Sequence, residues 1–372
     1  MTPDNTLLVT VDSLRYDHYE FMLETKAYLG DTHSHAFATS TATAGSFQSI
    51  IGGYYPDGAG LEEGTSVATK VPTGNRVGIT TNHLLSSRYG YDAGFNHFTA
   101  PSVDDDGLKE TAQRYLTPGS LAHKIAVEGW NTYQRIQSVF ATGSSGREYR
   151  PASDVIDEFV QQVEGEKDWF GWLHFMEPHH PYNPDDGPVD RVKAQAVSRR
   201  VLAGNGSESD KKLVRELYKQ EIRELDRELR RLWEFVDDDC RIVFCADHGE
   251  FLGENDTWGH PGELRLETLH VPLATRNIPQ IGDIVSLVDV PSILLGENHK
   301  EGTFEREVAF ATYGKKKAAI NKSLIRSDEG TFTYDGDEVT DSSLDRDYAR
   351  FSSTGFVKED AAIEDLEALG YI

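Results

Sequence analysis

Three short apolar runs in this 372-residue chain each end on a residue able to carry chemistry: Asn5–Val11 (NTLLVTV) before Asp12, Trp169–Met176 (WFGWLHFM) before Glu177, and Arg241–Ala246 (RIVFCA) before Asp247. Mostly apolar runs of this length, lacking polar alternation, read as strands buried on both faces of a parallel sheet. Between the second and third lies a long helical pattern, about Leu213 to Val236, in which Leu213, Leu217, Leu225, Leu229, Leu232 and Val236 recur at three- and four-residue spacing or its multiples. Strand, helix, strand in that order implies crossover helices over a parallel sheet. Ala152–Val163 and Val288–Leu295 read as further helices.

Gly187–Lys211 shows no clear apolar periodicity and is expected to be a surface loop or a lid. After about Thr303 the pattern changes to short β-like runs, Val308–Thr312, Ala318–Ile325 and Thr331–Tyr334, separated by turn signals. Glu359–Tyr371 reads as a closing amphipathic helix. The expected architecture is a doubly wound α/β domain over residues 1–302, with helices on both faces, followed by a small β-rich subdomain over residues 303–372.

Composition narrows the partners. A net charge of −25 argues against nucleic acid or an anionic membrane surface, because both would be repelled. Acidic clusters such as Asp104-Asp105-Asp106 and Asp237-Asp238-Asp239, with few lysines, suggest a surface suited to high salt and a halophilic source. No run approaches the ~20 apolar residues of a membrane span. The first strand begins within five residues of Met1, which leaves no room for an export signal and leads to an expectation of a cytoplasmic protein. Cys240 and Cys245 lie on one apolar segment facing opposite ways, so neither a disulfide nor a Cys-x-x-Cys metal site is expected.

In open α/β sheets ligands gather beyond the carboxyl ends of the strands. Asp12, Glu177 to His179, and Asp247-His248 all fall there. An Asp after a strand is often only a cap or turn former, so each alone says little. Together they suit a divalent cation: carboxylates and an imidazole fit Mn²⁺ or Zn²⁺, and a carboxylate-rich version also holds Ca²⁺ or Mg²⁺. Gly249 would let the chain turn tightly beside the metal. His260, in the polar loop Leu252–Leu264, is either a proton donor or a solvated loop residue. Thr39–Gly53 (TSTATAGSFQSIIGG) leads hydroxyl residues into a short apolar helix, Phe47–Ile51. A Ser or Thr there is placed either to attack a phosphoryl or sulfuryl centre at a helix N-terminus or, as Ser46, simply to cap it. His179, between Pro178 and Pro181, has an imidazole suited to acid–base work.

These motifs together resemble the sulfatase branch of the alkaline phosphatase superfamily. Asn5–Arg15 (NTLLVTVDSLR) is similar to that family's opening strand and first metal aspartate, and Asp247–Leu252 (DHGEFL) to its second metal motif. The likeness continues through Gly52-Gly53-Tyr54-Tyr55-Pro56, Pro178 to Pro181, Tyr218 to Asp226, Val271-Pro272 and the closing Leu366–Tyr371.

The resemblance implies that Asp12, Asp247 and His248 bind one divalent metal ion (Ca, Mn, Mg or Zn), and that His179 and His260 contact the substrate's anionic or leaving group. It also places the nucleophile on Thr43, whose oxygen would join the metal, with Ser46 and Asn82 near the substrate. Where the family has Cys-x-Pro-Ser-Arg, this chain has Thr43-Ala44-Gly45-Ser46-Phe47, so no formylglycine can form and the stabilising Arg is gone. Aligning His83 with the family's Lys-Trp-His motif puts Thr81 at the lysine and Asn82 at the tryptophan.

The implied activity is hydrolysis of a sulfate or phosphate ester, small or carried on a glycan or lipid headgroup. Thr43 would attack and His179 or His260 would protonate the leaving oxygen. A phosphodiesterase or phosphoglycerol-type transferase of the same superfamily, and a non-catalytic binding protein on the same fold, are the alternatives.

Overall fold

The structure, a computed structural model, describes residues 5–57, 60–101, 149–279, 281–296 and 306–351. In chain order the strands of the main sheet are β1 (Thr6–Val11), β2 (Asn75–Ile79), β3 (His97–Thr99), β4 (Trp169–Phe175), β5 (Arg241–Ala246) and β6 (Leu273–Arg276). They lie side by side in the order β3-β2-β4-β1-β5-β6, all parallel except the β5–β6 pair. The three strands expected from the apolar runs are therefore the centre of the sheet, and each is buried along almost its whole length.

Helices cover both faces. Among them are α1 (Leu23–Leu29), α2 (Thr43–Gly52), α3 (Ala152–Val163), α4 (Arg191–Leu202) and α5 (Glu208–Phe235). Gly171 and Trp172 are neighbours on β4 and so face opposite sides. A Cβ at Gly171 would stand 2.6 Å from the Phe159 ring of α3, whereas Trp172 meets the Phe47 ring of α2 at 5.7 Å between centroids. This is the doubly wound arrangement. No described helix is long and apolar enough to cross a membrane.

Several expected boundaries move. The segment expected to be a loop, 187–211, contains α4 and the start of α5. Ala194, Val197, Ser198 and Val201 face inward at helical spacing, but two of the four are small and charged residues surround them, which hid the stripe. Asp190 caps this helix by accepting from the Lys193 amide at 3.0 Å. The long helix begins at Glu208 rather than Leu213 because Ser207 and Asp210 form a capping box. Likewise α2 starts at Thr43, four residues before the apolar run Phe47–Ile51. The proline-containing helix is Val290–Leu295, preceded by a single 3₁₀ turn at Leu287–Asp289.

The C-terminal part forms an antiparallel sheet of β7 (Ala309–Tyr313), β8 (Lys316–Ile320), β9 (Leu324–Ser327) and β10 (Gly330–Thr333). The run Ala318–Ile325 is thus two strands. Asn321 Oδ1 accepts from the Ser323 and Leu324 amides, both at 2.9 Å, and makes the turn between them. The boundary at 302/303, the acidic cluster at 104–106 and the expected tail helix lie outside the described residues. Cys240 and Cys245 are buried free thiols.

Candidate metal and nucleophile centre

Strand register assembles the site. Val11 of β1 lies opposite both Phe175 of β4 and Ala246 of β5, so the residues that follow, Asp12, Met176 and Asp247, leave the sheet at one level. The Asp12 amide donates to the Phe175 carbonyl at 2.9 Å and the Asp247 amide to the Val11 carbonyl at 3.2 Å, extending the ladder one step. Ser13 then turns the chain sharply with φ 59°. Its amide donates to Asp247 Oδ1 at 3.1 Å and its hydroxyl to Asp12 Oδ1 at 2.9 Å. Tyr218 of α5 holds this turn, donating to the Ser13 carbonyl at 2.8 Å and accepting from the Arg15 amide at 3.0 Å.

Around Asp12 the expected residues converge. Thr43, first residue of α2, donates its hydroxyl to Asp12 Oδ2 at 3.2 Å. Asn82 Nδ2 donates to the same oxygen at 3.3 Å, while Asn82 Oδ1 accepts from the Leu84 amide at 3.0 Å. His248 Nε2 lies 3.9 Å from Asp12 Oδ1 and 3.5 Å from Asp247 Oδ2. His248 Nδ1 stands 3.0 Å from the Gly249 carbonyl, a contact that turns Nε2 toward the carboxylates. Asp12, Asp247 and His248 are fully buried, and one ligand atom of each falls within a 4.8 Å cluster.

These residues fit a divalent cation. Asp247 Oδ2 and His248 Nε2 are buried polar atoms without a hydrogen-bond partner, a costly state that a metal between them would relieve. Burial and the adjacent Asp12 carboxylate push Asp247 up to about 6. Burial acts in the same sense on Asp12, but the surrounding His179, His174 and His248 imidazoles outweigh it and hold Asp12 well below the usual carboxylate range. Burial would lower His248, yet the Asp247 and Asp12 carboxylates raise it. Two close carboxylates and an imidazole make a hard, oxygen-rich site of the kind that takes Ca²⁺, Mn²⁺, Mg²⁺ or Zn²⁺.

Gly249 serves a different purpose from the tight turn expected of it. A Cβ there would lie 2.1 Å from the Glu267 carbonyl oxygen, so the glycine is needed for close backbone approach.

His179 and His260 meet with Nε2 atoms 3.3 Å apart, and the His260 ring lies 4.6 Å from the His248 ring between centroids, tilted by 49°. Burial lowers His179 to about 3, and burial with the neighbouring imidazoles takes His260 well below its usual value. Both rings are therefore neutral near pH 7. They offer N–H hydrogen bonds rather than the imidazolium proton expected of a general acid.

Ser46 sits one turn inside α2 and does not cap it; its hydroxyl donates to the Ser40 carbonyl at 3.1 Å. Phe47, standing where the resemblance calls for Arg, packs edge-on against the His174 ring at 4.9 Å. Thr81 donates to the His174 carbonyl at 2.9 Å.

Three residues went unassigned in the sequence. His174 Nε2 lies 3.6 Å from Asp12 Oδ2, and an imidazole inside the otherwise apolar strand β4 was its signal. His180 and Glu250 pair at 2.7 Å, and both stand within motifs already noticed, beside His179 and Gly249.

A mostly parallel sheet whose strand ends carry a carboxylate and imidazole cluster, faced by a hydroxyl at a helix N-terminus, defines a doubly wound protein with a candidate metal and nucleophile centre. The family model described as Sulfatase matches residues 4–276, and the chain belongs to the sulfatase family. No curated protein sequence matches it.

Among solved structures it is similar to the phosphonate monoester hydrolase of Silicibacter pomeroyi, with 15% identity, TM-score 0.61 and 93% of each chain covered. It is similar also to the phosphonate monoester hydrolase of Agrobacterium radiobacter, with 18% identity, TM-score 0.56, 99% of this chain and 95% of that one. The lipoteichoic acid synthase LtaP of Listeria monocytogenes matches with 11% identity and TM-score 0.55 over 100% of this chain and 92% of that one. At these identities the likeness concerns the fold.

Proposed function

We propose that the chain is a metal-dependent hydrolase of sulfate or phosphate esters with Thr43 as its nucleophile. The observation that carries this reading is the 3.2 Å contact of Thr43 Oγ1 with Asp12 Oδ2, inside the Asp12, Asp247 and His248 cluster. Family membership supports the same chemistry. A divalent cation bound by Asp12, Asp247, His248 and the Thr43 oxygen would supply a lowered hydroxyl pKa and a counter-charge for the ester.

The chain's own residues do the rest. Thr43 lies at the N-terminus of a ten-residue helix, where the first amides and the helix dipole favour the anion that forms. Asn82 anchors Asp12 Oδ2 in the orientation that receives the Thr43 hydroxyl. In the forward step the Thr43 hydroxyl gives up its proton to water, Thr43 Oγ1 bonds to sulfur or phosphorus as the bond from that atom to the ester oxygen breaks on the opposite side, and the leaving oxyanion, hydrogen-bonded by the His179 or His260 N–H, takes up a proton from water. Water or an acceptor alcohol then cleaves the Thr43 ester and regenerates the hydroxyl.

A second reading follows from charge. Phe47 and Thr81 occupy the positions of the family's Arg and Lys, and Arg15 is committed to Asp17 and Glu254. With both of these positions uncharged and Arg15 engaged elsewhere among the described residues, the centre suits a singly charged ester, a phosphodiester or a sulfate monoester, better than a doubly charged phosphate monoester. This favours diesterase or headgroup-transferase chemistry among the phosphate options.

The test is a panel of nitrophenyl sulfate, phosphate and phosphodiester substrates on wild type and Thr43→Ala, with metal content measured in parallel. Metal-dependent turnover of one ester, lost in Thr43→Ala, is expected. Equal activity in the variant would remove Thr43 as nucleophile, and metal binding without any turnover would mark a binding protein.

A further inference from the structure

We propose that the turn between β7 and β8 recognises substrate, with Lys315 and Lys316 binding a second anionic group carried on the alcohol part of the ester. Lys315-Lys316-Lys317 is a run of three cations in a chain with 62 acidic residues against 37 basic ones. Tyr313 of β7 and Lys316 of β8 stand directly opposite each other, joined by the two-residue turn Gly314-Lys315, in which Gly314 has φ 56°. Glycine at the first of two turn positions suits a tight hairpin of this kind.

Strand alternation divides the lysines between two faces. Lys317 is held on one of them: its Nζ donates to the Phe351 carbonyl at 2.9 Å and lies 4.6 Å from the centre of the Tyr348 ring. Lys316 shares the other face with Tyr313, and both meet the loop that follows His260. Lys316 Nζ donates to the Gly262 carbonyl at 3.3 Å, and a Cβ at Gly262 would lie 2.1 Å from the Tyr313 ring. Further along the loop the Arg265 guanidinium lies 3.6 Å from the centre of the Phe332 ring of β10. Hairpin and loop are thereby docked, and two residues, at most about 7 Å of backbone, lead from Gly262 back to His260.

A lysine that merely pins the loop is the plainer alternative. A single carbonyl, however, takes only one of the three N–H donors of an ammonium. Lys315 and Lys316 are exposed, and neither forms an ion pair with a carboxylate among the described residues. The charge of the whole chain repels an anionic substrate, so cations beside the centre decide whether it is held. Because the His260 N–H serves the leaving oxygen, the hairpin lies toward the alcohol part of the ester rather than toward sulfur or phosphorus. That orientation rests on the ester-hydrolase reading, whereas the docking of the hairpin does not.

The test compares the nitrophenyl ester that the protein turns over with its 3-carboxy-4-nitrophenyl counterpart, which adds one carboxylate to the same leaving group. The readout is the ratio of kcat/KM for the carboxylated ester to that for the plain one, since the intrinsic reactivity of each ester then cancels between proteins. In the double variant Lys315→Gln, Lys316→Gln this ratio is expected to fall about 10-fold or more, mainly through KM. Lys316→Arg, which keeps the charge, is expected to retain most of the preference. An unchanged ratio, including an equal loss on both esters, would overturn the proposal. Should the double variant fail to fold, Lys315→Gln alone carries the same comparison. If no ester is turned over, calorimetric titration of wild type and variant with the two esters replaces the kinetics. Tighter binding of the carboxylated ester by wild type, lost in the variant, would then uphold the lysines while sinking the hydrolase reading, and equal binding would remove both.

Discussion

Thr43 Oγ1 and Asp12 Oδ2 are 3.2 Å apart although 31 residues separate them, and the hydroxyl is the donor. The contact joins the tip of β1 to the start of α2, so it depends on a hydroxyl at this position and on little else in the helix. Thr43→Ser is expected to keep measurable ester turnover, whereas Thr43→Val, which preserves shape, should lower kcat by roughly 10³-fold or more, as nucleophile removal does elsewhere. Steady-state kinetics of the two variants under saturating metal check this.

Metal should stabilise as well as activate. Asp12 and Asp247 are both buried and close, so a cation that binds only the folded chain raises its stability by about 2.7 kcal/mol at a hundredfold excess over Kd. Thermal melts with and without chelator are expected to differ by several degrees, and the difference should vanish in Asp247→Ala.

The approach of Gly249 to Glu267 leaves no room for a methyl group. Gly249→Ala would set a Cβ 2.1 Å from the Glu267 carbonyl oxygen, and backbone cannot rotate away as a side chain can. A loss of about 1–3 kcal/mol is expected from overpacking, read as a lower denaturation midpoint, together with weakened metal affinity because His248 shifts with its neighbour.

Acid should weaken the fold through His270. Burial lowers this ring from 6.5 to about 4, although its Nε2 contact with the Ser34 carbonyl at 2.9 Å works in the opposite sense. The unfolded chain therefore binds the proton first as pH falls. The stability contributed by neutral His270 is complete above about pH 6.5 and is lost as pH drops through about 4. Denaturation midpoints measured across that window should fall less steeply in His270→Gln than in wild type.

A net charge of −25 on 372 residues predicts salt dependence. Added salt shortens the reach of self-repulsion from about 10 Å at 0.1 M to about 3 Å at 1 M. Folded stability is expected to climb between those concentrations, and a midpoint independent of salt would remove the halophilic reading.

The sequence by itself determined the centre of the sheet and which residues stand at its strand ends. Six to eight mostly apolar residues ending in a carboxylate read as a buried strand reaching the ligand-binding edge of a sheet, which made β1, β4 and β5, with Asp12, Glu177 and Asp247 at their ends, readable from local pattern alone. The long helix was legible for the same reason, since its stripe repeats over many turns, whereas α4 was not, because Ala194 and Ser198 carry too little apolar surface to register.

Only the tertiary structure decided which groups share a volume. Parallel register set Asp12 level with Asp247, and packing of α2 brought Thr43 to Asp12 while turning Ser46 toward Ser40. The same packing brought His180, His179 and His260 together from two distant loops and set Glu250 behind His180. Side-chain proximity across 70 or more residues depends on how layers stack, and no periodicity along the chain encodes it.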